Sequence, residues 1–327
     1  MARQQSQLEL FNAVPIKQYG IHNFRRVIES LRFSALGLEP LLDLSRITFV
    51  RPPLLALLRA YVDLLLKGDD RLRLARKRLV RANPPRSPQA RRYLMAMNLF
   101  GSSTAPSGET GETLSESQYL PLSVLRRDEE SEFVAAKLKS ILLKKLPATS
   151  DTATIGMALG ATLGELLENF KKHSESGRVG WVCAQYYKPA VYKESRARPR
   201  RRESAIEIAV ADTGIGIARS LAAVPHLRRM IRAGANPCEL ATQLGVTSKP
   251  GEHSGLGLFV ARRLAERNGG FFKLASGRYW FKSDNRRAKC GQMSTPWPGT
   301  FVALRLSLQR DVDVRKVYDE IQPPEPM

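Results

Sequence analysis

The apolar residues of PPLLALLRAYVDLLL recur at Leu54, Leu57, Leu58, Tyr61, Leu64 and Leu65. That spacing predicts a helix, with Gly68 where it would stop. The preceding PLLDLSRITFV ends on β-branched residues and reads as a strand, and RLRLARKRLV is a candidate second strand. Strand, turn, helix and strand suggest a small α/β unit over residues 1–100. The stretch Gly101 to Ser117, GSSTAPSGETGETLSES, has no apolar period and cannot bury a core. We therefore expect a polar linker over 101–127 and a second domain over 128–327.

The second part is richer in pattern. SEFVAAKLKSILLKKL reads as an amphipathic helix, and another helix should start after a Ser150 or Asp151 cap and run through GELLENFKKHS. GWVCAQYYK and AIEIAVAD read as strands separated by the basic loop RARPRRRES. SGLGLFVARRLAERNGG is a helix with a glycine-rich start and a glycine stop. GTFVALRLSL closes as an alternating strand with Val302, Leu304 and Leu306 on one face. Helices mixed with hairpin strands predict a layered α/β (α+β) sandwich.

Composition narrows the class. Hydrophobic residues make up 43% and charged residues 25%, as in globular proteins. Arg59 and Asp63 break the most apolar region, so no membrane span is expected. The start, MARQQSQLELF, lacks the apolar core of a signal peptide, which makes a cytoplasmic location the expectation. Cys183, Cys238 and Cys290 are far apart and have no metal-ligand spacing. The net charge of +21 makes nucleic acid, anionic lipid or an acidic protein a candidate partner. Nine basic residues and no acid lie between Arg71 and Arg92, and Arg196, Arg198, Arg200, Arg201 and Arg202 form a second run. Each run reads either as a solvated edge or as an anion-binding patch.

The chemistry concentrates in GELLENFKKHS. On a helix, Leu159, Leu163, Leu166, Leu167 and Phe170 form one apolar stripe. Glu165 and Asn169 share a flank one turn apart, while Glu168 points away toward solvent. An amide oxygen suits Mg²⁺, and a neighbouring carboxylate can polarise a nucleophile beside a phosphate. His173 reads either as a nucleotide contact or as a helix-end cap.

Three further motifs follow in order. In VADTGIGI, Asp212 ends a predicted strand, where its carboxylate can accept from an exocyclic amine such as that of adenine. Gly214 and Gly216 permit close approach. In SGLGL, Gly255, Leu256, Gly257 and Leu258 open a helix whose amides and dipole favour phosphate. VTSKPGEHS brings Thr247, Ser248 and Lys249 as phosphate contacts, and PGTF brings Gly299 and Thr300 before the last strand.

Taken together, the four segments resemble the N, G1, G2 and G3 boxes of the ATP-binding Bergerat fold. That GHKL fold is shared by histidine kinases, DNA gyrase B subunits, MutL-type repair proteins, heat-shock chaperones and anti-sigma-factor kinases. The likeness spans roughly Thr152 to Leu308. It implies ATP and Mg²⁺ as cofactors, Glu165 as general base and Asn169 as the Mg²⁺ ligand. It further implies Asp212 against adenine with Thr300 nearby, and a lid from about Ala218 to Ser254. ANPCELATQLGVTSK, in the lid's middle, reads as a helix followed by a loop.

The N-terminal DLSRITFVRPPLLALLRAYVDLLLKG resembles the strand–turn–helix of STAS (anti-anti-sigma) domains. Pro52 and Pro53 stand where that family carries its phosphorylatable serines, which implies a fixed docking or regulatory module. The leading expectation is an ATP-dependent kinase or ATPase in partner switching, with a protein partner. The alternative is an ATP-gated, dimerising clamp that holds nucleic acid. A histidine autokinase fits less well, because SEFVAAKLKSILLKKL has no histidine.

Overall fold

The computed structural model describes residues 41–43, 50–67, 81–83, 85–99, 118–125, 128–145, 180–192, 200–251, 254–310 and 314–321. Its centre is an antiparallel five-stranded sheet. The strands are β3 (Tyr119–Leu125), β4 (Gly180–Tyr187), β7 (Ala205–Ala211), β8 (Phe271–Asp284) and β9 (Ala288–Ser307), ordered β3-β4-β7-β9-β8. Two short pairs complete the described strands: β1 (Leu41–Asp43) parallel to β2 (Arg81–Asn83), and β5 (Ala190–Tyr192) antiparallel to β6 (Arg200–Arg202).

Both faces of the sheet are buried, each by different helices. On the front lie α3 (Asp128–Leu143), α4 (Ile217–Leu221), α5 (Pro225–Arg232), α6 (Pro237–Leu240), α7 (Gly257–Arg267) and α8 (Val314–Asp319). Val302, Leu304 and Leu306 point into this layer, and so do Ile206, Ile208 and Val210 of β7. On the back lie α1 (Pro52–Lys67) and α2 (Pro88–Ala96), packed on Cys183, Ala209, Ala211, Phe301 and Ala303. The layered α/β sandwich expected from the pattern is observed.

Local chemistry explains several boundaries. α1 begins with Pro52 and Pro53 where the first N–H groups have no helical partner, so proline loses nothing there. Leu55, Ala56, Leu57, Leu58 and Ala60 are all buried, so α1 is covered over more of its surface than the expected stripe of Leu54, Leu57 and Leu58 requires. Val50, Arg51 and Pro52 of the VRPPL turn are also buried, and Arg51 meets Glu207 of β7 at 3.0 Å. α3 follows its predicted stripe, with Val134, Leu138, Ile141 and Leu142 buried. α7 ends in a Schellman motif: the N–H of Gly270 donates to Ala265 O and that of Gly269 to Glu266 O. Gly269 has φ 74° there, and a Cβ on Gly270 would fall 1.8 Å from Arg305 O.

Three expectations need correction. The end of the segment expected as linker, Tyr119–Leu125, is the edge strand β3, paired with β4. Its Leu120, Leu122 and Leu125 are buried, and the polar composition stops at Ser117. Arg200–Arg202, read as part of a basic loop, forms a strand against Ala190–Tyr192. The final strand starts at Ala288, well before GTFVALRLSL, because it pairs with β8, which the pattern reading missed. α1 lies directly across β4 and β7.

Candidate functional site

β7 delivers Asp212 at its end, buried at 7% exposure. Its backbone N–H donates to Thr300 O at 2.9 Å, which keeps the turn in register with β9. One carboxylate oxygen, Oδ1, accepts from the Gly214 N–H, and the Asp212 carbonyl accepts from Trp297 Nε1 at 3.1 Å. The chain then leaves through Gly216, at φ 76°, into α4. Ser276 of β8 ties this exit down. Its hydroxyl donates to Gly299 O at 2.6 Å and accepts from the Ile217 N–H at 2.8 Å.

Two glycines make that closure sterically necessary. A Cβ on Gly216 would sit 2.8 Å from Ser276 Oγ and 3.2 Å from Gly299 O. A Cβ on Gly299, which has φ 129°, would sit 2.3 Å from Asp212 O and 2.7 Å from its Oδ1. The positive φ values place both positions where only glycine is unstrained. Ile215, between Gly214 and Gly216, stays 41% exposed.

The second cluster surrounds the start of α7. Gly257 is its first residue and is buried, while Leu256 caps it and Leu258 is half-buried. Gly255, at φ 68°, packs against backbone of Gly245 and Val246, where a Cβ would lie 2.8–2.9 Å away. The same loop carries Ser248 and Lys249, both half-buried, with the Lys249 N–H donating to Thr247 Oγ1 at 3.2 Å. Among the described residues the expected lid, Ala218 to Ser254, carries α4, α5 and α6, and its middle, ANPCELATQLGVTSK, is the short helix α6 followed by a loop, as the pattern predicts. α6 is capped by Asn236, whose side chain accepts from the N–H groups of Cys238 and Glu239.

The structure thus brings Asp212, Gly214, Gly216 and Thr300 into one locked turn, and Gly255, Leu256, Gly257 and Leu258 into a helix start that packs, through Gly255, on Gly245 and Val246 of the loop carrying Ser248 and Lys249. Glu165, Glu168, Asn169 and His173 lie outside the described residues. Sequence reasoning missed Ser276 and Trp297. Ser276 is a small polar residue inside an unrecognised strand, and its one local signal is the adjacent Gly277. Cys183 and Cys238 are buried, and burial pushes both thiols far up.

Residues 155–310 match the model of the histidine kinase-, DNA gyrase B- and HSP90-like ATPase family, so an ATPase domain of that family is present there. The matched span holds all four motifs and the front layer from β4 to β9. The mixed α/β architecture agrees with the Bergerat-type fold. The match supports ATP binding and an activity of the ATPase or kinase type. The comparison with curated proteins returned no match. Among the described residues no helix is long and apolar enough to cross a membrane.

Proposed function

We propose that this protein binds Mg-ATP and either hydrolyses it or transfers its γ-phosphate to a protein partner, in the manner of the partner-switching kinases. The observation that carries the reading is the locked turn at Asp212. A buried carboxylate sits at a strand end and accepts from the Gly214 N–H, in a turn that Gly299 and Ser276 close and from which Ile215, three residues on, is exposed. A planar base with an exocyclic amine fits that pair: the carboxylate accepts from the amine and the isoleucine covers the ring. Phosphates would meet the start of α7 with Ser248 and Lys249. Asn169 would hold Mg²⁺ and Glu165 would polarise the attacking group. Residues 1–100 would serve as a STAS-like docking module, and ATP would close the lid of residues 218–254.

The test is ATP binding followed by transfer of labelled γ-phosphate, with and without candidate protein partners. Asp212→Asn should weaken ATP binding about 10- to 100-fold through loss of a charge-assisted hydrogen bond. Glu165→Ala should leave binding intact and abolish phosphoryl release or transfer. Wild-type turnover in Glu165→Ala would remove that residue from the base role, and absence of ATP binding by the wild type would overturn the reading.

A further inference from the structure

β8 and β9 run on past the sheet. β7 pairs with β9 over Phe301–Ser307, whereas Tyr279–Ser283 and Ala288–Gln292 pair with each other alone. The register shifts on either side of Gly277, and the alternation flips there. Before the shift Phe272 and Leu274 face the front layer; after it Tyr279 and Phe281 do. The root of this two-stranded ribbon is anchored. Phe281 is fully buried, Asn236 Nδ2 donates to Trp280 O at 3.3 Å and Gly291 O at 3.1 Å, and Cys238 Sγ donates to Tyr279 O at 3.4 Å.

The outer end is built of cations. Lys282 lies directly opposite Lys289, and Arg286 and Arg287 form the turn. Residues 285–290 are all exposed. The one acid between Arg278 and Gln292 is Asp284. Its Oδ1 accepts from the N–H groups of Arg286 and Arg287 at 3.0 and 3.1 Å, and its charge also acts on Lys282 and Arg287, which leaves the four cations in excess over one acid at the tip. Opposed like charges destabilise a strand pair, and an anion laid across them removes that cost. The segment entering Asn236 is basic as well: α5 exposes Arg228, Arg229 and Arg232, and no acid lies between Thr213 and Cys238.

The chemistry selects the partner. The exposed large apolar side chains among the described residues are Met95, Phe133, Ile215, Met230 and Leu244, and none lies on the ribbon. The tip therefore offers no apolar anchor for a protein hot spot and nothing to insert into lipid. A two-stranded ribbon of lysines and arginines does fit a nucleic-acid groove and its phosphates. We propose that the β8–β9 ribbon is a nucleic-acid contact, gripping the phosphodiester backbone through Lys282, Arg286, Arg287 and Lys289. The inference stands independently of ATP binding.

The experiment measures anisotropy of labelled duplex DNA, single-stranded DNA and RNA of about 20 nucleotides, without ATP, at salt from about 50 to 200 mM. The full chain should bind at least one of the three. Replacing all four ribbon cations by alanine should weaken that binding about 100-fold and reduce the slope of log affinity against log salt by about 3. A control removing equal charge elsewhere, from exposed lysines outside both basic runs (Lys139→Ala, Lys144→Ala, Lys188→Ala and Lys316→Ala together), should stay within about threefold of wild type. Thermal melting and binding of a fluorescent ATP analogue are measured in parallel, which separates loss of fold and failure of the ATP reading from loss of this contact. If the fourfold ribbon variant melts early, Lys289→Glu alone carries the test. The proposal is overturned if the wild type binds none of the three. Equal losses in ribbon and control variants also overturn it, as does equally tight, ribbon-dependent binding of polyglutamate or phosphatidylserine vesicles.

Discussion

Strand β7 buries its two faces in different ways. Toward the front it presents Ile206, Ile208 and Val210 to a layer of many helices. Toward the back it presents Ala205, Glu207, Ala209 and Ala211, and all seven of its residues are buried. The branched front side chains fill space between elements, and their contribution follows the apolar area removed from water. The small back side chains let α1 come close, as the contact from Cys183 Sγ to Pro52 O at 3.3 Å shows. Within that close contact the Arg51–Glu207 pair is 7% and 1% exposed, and the Arg51 guanidinium lies 5.2 Å from the Tyr187 ring centroid. A buried ion pair adds little net stability over an apolar pair, yet it strongly penalises any arrangement that separates it. The front is held by area; the back is held by shape and one charge pair.

The largest expected effects are equal on the two faces and differ in how they can be repaired. Phe272→Ala on the front should cost about 3–5 kcal/mol by denaturant unfolding, from lost burial and the cavity left behind. Glu207→Ala on the back should cost about 3–5 kcal/mol, because it strands the Arg51 charge. Adding an apolar replacement of Arg51, as in Arg51→Met with Glu207→Leu, should recover most of the back-face loss. If that double variant is as unstable as Glu207→Ala, the pair is not what holds α1.

Ala209→Leu comes next, at about 1–3 kcal/mol, since overpacking pushes α1 off the sheet. A Val210→Ile change on the front should cost less, and equal costs would erase the contrast in shape.

Lys273 gives a pH signature of the back face. Burial lowers its pKa to about 8, with the Lys282 and Arg51 charges adding and Glu207 opposing. The folded state therefore releases this proton before the unfolded chain does. Its charged form is a cost below pH 8, and that cost is relieved as pH rises toward the ordinary lysine value of about 10.4. Stability should rise across that window by up to about 3 kcal/mol, and Lys273→Met should flatten the rise. The smallest effect belongs to the exposed Arg310–Glu203 pair at 2.9 Å. Arg310→Ala should change stability by less than about 1 kcal/mol, and the change should vanish in high salt.

Much of the candidate site was legible because its requirements are local. Asp212 at a strand end, glycines at Gly216 and Gly255 with positive φ, and the helix start at Gly257 all follow from backbone needs that a short segment displays. The glycine stop of α7 was legible for the same reason. Ser276 and Trp297 were not legible, because each acts on the turn from elsewhere: Ser276 is 59 residues from Ile217, and Trp297 is 85 from Asp212. The edge strand β3 was hidden behind a polar stretch, and β8 lost its alternation at the Gly277 irregularity.

The amino-acid order by itself determined the helices with a clean stripe, the order of the four motifs, and the caps and glycine turns. These depend on spacing of 3.6 or 2 residues and on φ values a residue can or cannot adopt. Only the tertiary structure decided that α1 belongs to the back of the sheet, that Glu207 is a buried partner rather than a surface charge, and that two basic strands leave the sheet as a ribbon. A strand buried on both faces no longer alternates between apolar and polar, so its sequence cannot say which helix covers which side. Pairing between distant strands fixes both, and that information lies in contacts rather than in any one segment.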